Sequence, residues 1–328
     1  MVPRRVAQLA PVPYLYVSEC RGHVRKKKLF SSNLSLEWRW RNVDGSFVSA
    51  GLHKTEEGRE QPYARLLARV RQHKFALPPI SGMTSKRLLI LTSAGASVKE
   101  LLTILQCDSA LASRVLSVAN SAIFNAMAPI SSIRQAALRL GQNTLRDLIL
   151  QAVIESQFKS YVDDRLLDSC KLHAVAVAHL AKETCKLTGA DPSSAFMCGL
   201  LHDIGTPVLV HALAKGGFDG PLPEAAHSAI HSAHTIAGEQ VAELWSLPSV
   251  VGDTIRLHHC IYGAIDSQKI APEVAIVGAS DRLAYHLNLG GRNLGTALFD
   301  DPTWEQVGLT VEDVQSLIAF SKRIPSAL

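Results

Sequence analysis

Length, composition and charge already exclude several classes of protein. The chain has 328 residues, of which 47% are hydrophobic and 19% are charged, so it can bury a large core and is not disordered throughout. No apolar run reaches the roughly 18 residues of a bilayer-spanning helix, and the N-terminus lacks the apolar core of a secretory signal. The six cysteines form no CxxC pair. We therefore expect reduced thiols and a cytoplasmic protein without a membrane partner.

The net charge of +5 is distributed unevenly along the chain. Residues 1–75 contain 15 Lys and Arg against 6 Asp and Glu, whereas the remainder contains 19 against 23. With Trp38 and Trp40 available for stacking, this basic segment could bind nucleic acid or anionic lipid. However, it lacks helical periodicity and mixes Gly, Ser and Pro, as poorly ordered leaders do. We interpret residues 1–60 as a basic, poorly ordered leader and do not expect nucleic acid as a partner.

The first predicted helices lie between residues 60 and 157. Residues 60–75 form a basic amphipathic helix in this interpretation, because apolar side chains recur at helical spacing at Tyr63, Leu66, Leu67 and Val70. Ser97 followed by Glu100 has capping-box spacing and predicts the start of another helix. Apolar residues at 98, 101, 102 and 105, then at 111, 115, 118 and 119, predict two helices joined by a turn. Gly141 is expected to end a helix that starts after Pro129.

The second half of the chain is also predicted to be helical. Asp191 and Pro192 are typical of an N-cap and a first helical position. A long histidine-bearing helix stops before Pro248, and Gly290 closes the last helix of this region. Residues 292–328 are expected to form a polar loop with one or two capping helices. Because no strand-like alternation appears after residue 75, we predict an all-α protein.

Two single residues have both a functional and a structural interpretation. Asn120 could belong to a partner-binding surface between subdomains, but we favour a hydrogen bond from its side chain to backbone at a helix end. Trp245 is interpreted as an anchor in the core. His227 and His231 share a helix face with His234, and we interpret both as solvent-facing.

The dipeptide His202-Asp203, in the run GLLHDIG, is the candidate functional site. Further imidazoles and a carboxylate occur at wide intervals on either side of it, namely His173, His234, His258, His259 and Asp281. Such side chains can converge on a metal and activate a water for phosphoester hydrolysis. A hydrogen-bonded polar cluster that caps helices within a bundle, without an ion, is the alternative.

Several of these runs resemble the HDOD family of bacterial HD-related output domains. The matching stretches are LPPISG, DSALASRVLSVANSAIF, ISSIRQAALRLGQNTLRDLIL, AFMCGLLHDIG, HTIAGEQVAELWSLP and LHH, within residues 77–290. The resemblance implies an HD-type helical bundle packed against an N-terminal helical subdomain, and a role in signal transduction. On this basis we expect an N-terminal subdomain at 61–160, an HD-like subdomain at 161–291 and a C-terminal helical extension at 292–328.

The resemblance also implies a ligand set for metal. In the wider HD superfamily of metal-dependent phosphohydrolases, the ligand order is matched here by His173, His202, Asp203 and Asp281. The related HD-GYP phosphodiesterases, which hydrolyse cyclic di-GMP, add a second metal site, and equivalent places are occupied here by His234, His258 and His259. Mixed imidazole and carboxylate ligands suit iron, manganese, zinc or magnesium.

Departures from the HD-GYP pattern decide the functional prediction. Thr206 stands where those enzymes have a lysine, the segment CIYGAIDSQ replaces GYP, and Ser169 replaces an acidic residue. Ligands are therefore retained while substrate-handling residues are missing. We predict a non-catalytic HDOD signalling module that binds a signalling protein, its His/Asp cluster being structural or metal-stabilised. The alternative is a metal-dependent phosphohydrolase acting on a nucleotide or cyclic dinucleotide.

Overall fold

The computed structural model describes most of the chain. The described residues are 38–41, 47–50, 62–72, 82–93, 95–121, 129–157, 164–192, 194–215, 222–259, 270–290 and 298–324. Their elements, in chain order, are β1 (Trp38–Arg41), β2 (Phe47–Ala50), α1 (Pro62–Arg71), α2 (Gly82–Thr92), α3 (Val98–Gln106), α4 (Ser109–Ala119), α5 (Ile133–Gln157), α6 (Asp164–Thr188), α7 (Ala195–Leu201), α8 (Gly205–Lys215), α9 (Glu224–Leu244), α10 (Ser249–Leu257), α11 (Pro272–His286), α12 (Thr303–Gln306) and α13 (Val311–Ser321).

The prediction of an all-α protein is confirmed, since every element described after residue 60 is helical. A short antiparallel hairpin precedes the helices and was not predicted. It pairs β1 with β2, with Trp38 opposite Ala50 and Arg41 opposite Phe47. The hairpin falls within the stretch interpreted as a poorly ordered leader, and the rest of residues 1–60 lies outside the described residues.

Local hydrogen bonds set the helix ends in α2–α5. Ser97 and Glu100 form the predicted capping box, with Ser97 N donating to Glu100 Oε2 over 2.8 Å. Gly141 adopts a φ of 73°, which ends one helical segment of α5 and starts the next at a kink. The Asn120 side chain bonds both backbone groups of Ile130, at 2.9 and 2.7 Å. These contacts confirm the structural interpretation of Asn120.

The helices α6–α11 form the HD-type half, in which α6, α7 and α11 pack closely together. A Cβ on Gly199 of α7 would lie 2.7 Å from the Cα of Ala178 on α6, so only glycine permits this approach. The predicted N-cap at Asp191 is wrong, because α7 begins at Ala195 with Ser194 at the N-cap position. The Ser194 hydroxyl donates instead to Glu273 of α11 over 2.9 Å. A tertiary contact has therefore replaced the local cap.

Outer elements are tied onto this half at both ends. The first helix, α1, packs against α8 and α9, where Gln240 Nε2 donates to the carbonyl of Val70 over 3.1 Å. In the C-terminal extension, buried Asp301 accepts from Arg282 Nε over 2.6 Å. Burial raises the pKa of Asp301, but bonds from His286 and Arg282 outweigh it and hold the pKa well below its usual value. Trp245 is buried, as predicted.

One stretch of the described residues, Ala195–Lys215, is long and apolar enough to cross a membrane by composition alone. In the structure it is divided into α7 and α8, and 72% of its most apolar window is buried inside the protein. That degree of burial is typical of a core helix. The helix pair α3 and α4 passes the same test only if joined across a bend of 119°.

Candidate metal centre

Seven predicted ligands converge at one place in the HD-type half, from three helices and from the two turns that follow α7 and α10. His173 lies in α6, His234 in α9 and Asp281 in α11, whereas His202 and His258 are the C-caps of α7 and α10. Asp203 follows in the turn between α7 and α8, and His259 follows His258. Their ligand atoms fall into two groups, each with all atoms within 4.8 Å of one another. We call them the first group (His173, His202, Asp281) and the second group (Asp203, His234, His258, His259).

The first group is fully buried. His173 Nε2 lies 2.8 Å from Asp281 Oδ1, and His202 Nε2 lies 3.6 Å from the same oxygen. The three side chains are between 0% and 4% exposed. One carboxylate oxygen thus faces two imidazole nitrogens in a water-excluded space.

The second group is more open on one side. Asp203 Oδ1 lies 3.2 Å from His234 Nε2 and 3.5 Å from His258 Nε2. His259 Nε2 lies 3.1 Å from His234 Nε2. The side chains of Asp203 and His259 are 21% and 24% exposed, whereas His234 and His258 are buried. Solvent therefore reaches the centre past Asp203 and His259.

The two groups adjoin through their carboxylates. Asp203 Oδ2 lies 3.8 Å from His202 Nε2 of the first group. Asp281 Oδ2 lies 3.8 Å from His259 Nδ1 of the second group. Each carboxylate therefore faces ligands of both groups, as carboxylates do in two-metal hydrolytic sites.

Backbone carbonyls orient four of the imidazoles. The Nδ1 atom of each lies next to a carbonyl oxygen, and the pairs are His173 with Leu289 (3.2 Å), His202 with Gly199 (2.7 Å), His234 with His231 (2.5 Å) and His258 with Ile255 (2.9 Å). A carbonyl can only accept, so each Nδ1 carries the proton and donates it. Each neutral ring then directs the lone pair of Nε2 inward, which is the usual second-shell arrangement of a metal-binding histidine.

A count of donors and acceptors shows that these residues fit a bound cation. With Nδ1 protonated, the Nε2 atoms of His173, His202, His234 and His258 are acceptors, and they face carboxylate oxygens or each other. Within the part of the chain that the structure describes, His202 Nε2 and Asp203 Oδ1 are both buried without a hydrogen-bond partner. Acceptors that face acceptors need a proton or a cation between them, because a buried unpaired polar atom costs about 1–3 kcal/mol. The donor set therefore fits a divalent metal.

The pKa values of the carboxyl groups favour their ionised form. Burial raises the pKa of Asp281, but its contacts with the imidazoles of His173 and His202 more than reverse this and hold it far below its usual value. Burial likewise opposes the ionised form of Asp203, yet its interactions with the imidazoles of His202 and His234 hold its pKa well below the usual range. Both groups are thus carboxylates at neutral pH, the form that binds metal.

The imidazoles of the centre differ in the direction of their pKa shifts. Burial lowers the pKa of His234 to about 4 and also lowers that of His259, so both rings are neutral at pH 7. Burial acts in the same direction on His173, but its hydrogen bond to Asp281 raises its pKa overall. A neutral ring keeps a lone pair on one of its two nitrogens, which metal ligation requires.

Two glycines let the ligand-bearing helices meet. A Cβ on Gly205, at the start of α8, would lie 2.7 Å from the carbonyl carbon of His234 and 2.8 Å from the nitrogen of Gly238. A Cβ on Gly290, which has a φ of 73°, would lie 2.5 Å from the nitrogen of His173. The glycine of HDIG therefore brings α9, and with it His234, against the end of the HD turn.

A narrow apolar cavity of about 40 Å³ leads to Asp203 from the junction of the two helical halves. Ile154 and Glu155 of α5 line one wall, and Leu200 and Ile204 line another. Glu155 is buried and ion-paired with Arg114 of α4. The N-terminal helices thus cover part of the approach to the centre.

Two contacts of the centre were not predicted. The exposed ring of His231 stacks on that of His234, with centroids 5.4 Å apart. The i, i+3 spacing of these residues is the sequence signal for this contact, although His231 was interpreted as solvent-facing. Tyr285 lies against His173, with centroids 4.6 Å apart. His227 is half-buried and is not in either ligand group.

Comparisons with known proteins agree with this architecture. The family model described as HDOD domain matches residues 77–261. A relative from Treponema pallidum (strain Nichols), named only an uncharacterized protein, is 26% identical over 183 residues. That match covers 52% of this chain and 35% of the relative, so the chain spans about a third of its length.

Solved structures show the same fold. An HDOD domain protein of unknown function from Geobacter sulfurreducens has a TM-score of 0.61 at 22% identity, covering 81% of this chain and 99% of that one. A protein from Shewanella amazonensis SB2B, provisionally named a metal-dependent phosphohydrolase, has a TM-score of 0.59 at 17% identity with the same coverage. A provisionally named signal transduction protein from Marinobacter aquaeolei VT8 has a TM-score of 0.57 at 17% identity, covering 81% of this chain and 63% of that one.

Proposed function

Since this chain belongs to the HDOD domain family, we propose that it is a cytoplasmic signal-transduction module that holds divalent metal and acts by binding another protein. The observation that supports bound metal is the set of four inward-facing Nε2 atoms, whose rings are fixed by hydrogen bonds from Nδ1 to backbone carbonyls. In this proposal, each ligand group holds one ion, and the ions join five helices into one rigid body. Metal ligation then stabilises the fold, because the ligands converge only in the folded state.

Features of the site argue against efficient turnover. His173, His202, His234, His258 and Asp281 are buried, and only Asp203 and His259 reach solvent. The cavity that Asp203 shares with Ile154 and Leu200 is apolar and narrow, which does not suit a phosphodiester. Thr206 cannot supply the positive charge of the lysine found in HD-GYP enzymes. The protein surface, rather than the centre, is therefore proposed to carry the signal.

Metal-dependent phosphohydrolysis of a nucleotide or cyclic dinucleotide is the second candidate. This candidate is favoured because the two ligand groups adjoin each other through Asp203 and Asp281. A metal pair, when bound, would polarise a phosphoryl oxygen and lower the pKa of a bound water. In that case the exposed edge formed by Asp203 and His259 would face the substrate, and the buried histidines would fix the ligand geometry.

A turnover assay on metal-loaded protein separates the two candidates. Wild type and a His202→Ala/Asp203→Ala variant are incubated with Mn²⁺ or Fe²⁺ and with bis-p-nitrophenyl phosphate or cyclic di-GMP, and metal content is measured on the same samples. His227→Ala serves as the control, since it removes an imidazole of α9 outside both groups.

We expect metal in wild type and control, less metal in the double variant, and no turnover in any sample. Turnover in wild type and control that the double variant loses would replace the signalling proposal with the enzymatic one. A folded wild type that retains no metal after loading would overturn both.

A further inference from the structure

A second cleft lies away from the two ligand groups, where α5, α6 and α7 meet the C-terminal helix. Its volume is about 250 Å³, somewhat below the roughly 300–1,000 Å³ of pockets for drug-sized ligands. Its wall includes Thr144, Asp147, Leu148, His179, Lys182, Glu183, Lys186, Phe196, Phe320 and Arg323. None of these residues belongs to either ligand group. The cleft is large enough for a small metabolite and polar enough to recognise one.

The floor of the cleft holds a buried ion pair. Lys182 Nζ lies 2.6 Å from Asp147 Oδ2, and Arg146 lies 3.3 Å from Asp147 Oδ1. Asp147 therefore has two cationic partners for one carboxylate. Lys182 Nζ is also 5.8 Å from the ring centroid of Phe196, so the aromatic ring helps to hold the ammonium group in place.

The rim adds further positive charge. The guanidinium of Arg323 lies 5.8 Å from the ring centroid of Phe320. Lys186 pairs with Glu183 over 2.6 Å, and the lysine is 59% exposed. The lining side chains thus include three cations and two carboxylates. One of these carboxylates, Asp147, contacts two cations, Lys182 and Arg146. Two of the cations lie on aromatic faces.

His179 supplies a second, independent indication of a ligand. Its side chain lines the cleft and is only 7% exposed, yet its Nε2 atom has no hydrogen-bond partner among the described residues. Burial and the charge of Lys182 lower its pKa to about 3, so the ring is neutral. A buried polar atom without a partner is costly, and such atoms are commonly completed by a ligand or a water. The ring also packs edge-on against Phe196, which fixes its position.

From this arrangement we propose that the cleft binds a small multivalent anion, a phosphate or carboxylate metabolite, with Lys182, Lys186 and Arg323 as its charge partners and His179 as its hydrogen-bond partner. The site would also link parts of the protein that carry the ligand groups. His179 lies on α6 roughly 9 Å beyond His173, and Phe196 lies on α7, which ends at His202. The proposal does not depend on metal at the His/Asp centre.

Isothermal titration calorimetry on the full chain tests the proposal. Pyrophosphate and succinate are titrated separately at constant ionic strength, which distinguishes a phosphate ligand from a carboxylate one. A Lys186→Gln/Arg323→Gln variant removes two charges from the rim, and His179→Phe removes the unpartnered nitrogen while keeping an aromatic ring. Lys322→Gln is the matched control, because Lys322 is exposed beside Arg323 and does not line the cleft.

We expect saturable binding of one probe at one site per chain. Affinity should fall at least tenfold in the rim variant and in His179→Phe, and stay unchanged in Lys322→Gln. It should also persist in His202→Ala/Asp203→Ala, which separates this site from anion binding at a metal. Absence of saturable binding of both probes, or equal binding by wild type and the rim variant, would overturn the proposal.

Discussion

Replacing Gly205 by alanine tests how the HD turn positions the second ligand group. The new Cβ would lie 2.7 Å from the carbonyl carbon of His234 and 2.8 Å from the nitrogen of Gly238, and even closer to the carbonyl oxygen of His234. These are backbone atoms, so no side chain can rotate away. The start of α8 and the middle of α9 must separate for an ordinary contact of about 3.5–4.0 Å to form.

The cost follows from the rigidity of this contact. Adding a methyl group to a well-packed core costs about 1–3 kcal/mol and occasionally more, and we expect the upper end here because two helix backbones must move. For a protein of this size, each kcal/mol lowers Tm by roughly 1–2 °C. A shift of His234 also moves its Nε2 atom, and loss of such second-shell order typically weakens metal binding about 10–100-fold.

Gly252→Ala is the matched control. Gly252 lies within α10, and its added Cβ would meet only the Cβ of Ala242, at 3.9 Å. Because alanine favours a helix interior over glycine by about 0.8–1 kcal/mol, this variant should be slightly more stable than wild type.

Urea unfolding gives the free energy of both variants, and elemental analysis gives their metal content. We expect Gly205→Ala to lose about 3 kcal/mol together with most of its metal, and Gly252→Ala to lose neither. If the two variants are equally stable and bind metal equally, then the close packing of α8 on α9 does not hold the site, and the reasoning is refuted.

Three further results are expected. His179→Phe should raise the free energy of unfolding by roughly 1 kcal/mol in urea titrations, because it removes a buried unpartnered nitrogen; a loss of stability would contradict this. The folded pKa of His179, about 3, lies below the unfolded value of roughly 6.5. Its contribution to the free energy of unfolding is therefore present above pH 6.5 and is lost as the pH falls. Between pH 6 and 4 the free energy of unfolding of wild type should fall by roughly 1 kcal/mol per pH unit, and His179→Phe should not show this fall. Asn120→Ala should cost about 1–3 kcal/mol of unfolding free energy, because it leaves backbone groups of Ile130 unpaired; the exposed Asn143→Ala is the control, and an equal effect in both would refute the bridging role.

The sequence predicted the helices well where the information is local. Apolar periodicity and the Ser97–Glu100 spacing indicated α3 directly, and the capping box is present. Gly141 was expected at a helix end and has a left-handed backbone there. The N-cap predicted at Asp191 was wrong because α7 begins only at Ala195, where the hydroxyl of Ser194 contacts Glu273 of α11 instead of capping the helix. A contact between residues far apart in sequence is not visible in a local pattern.

The candidate site likewise combines features that the sequence indicates with features that only tertiary packing produces. The resemblance to HD proteins supplied the seven candidate ligands and their order, and their ligand atoms lie in two groups in the structure. The acceptor carbonyl of Leu289, which orients His173 over 3.2 Å, comes from more than a hundred residues away. The cleft around His179 likewise depends on α13 packing against α6. Neither could be derived from spacing, because both are produced by tertiary packing.

Metal content per chain tests the central claim most directly. Wild type, His173→Ala and His258→Ala are loaded with Mn²⁺, desalted and analysed by elemental mass spectrometry, with circular dichroism confirming that each is folded. His173 belongs to the first group and His258 to the second, so we predict the highest content in wild type and a partial loss in each variant. A folded wild type without stoichiometric metal would contradict the account.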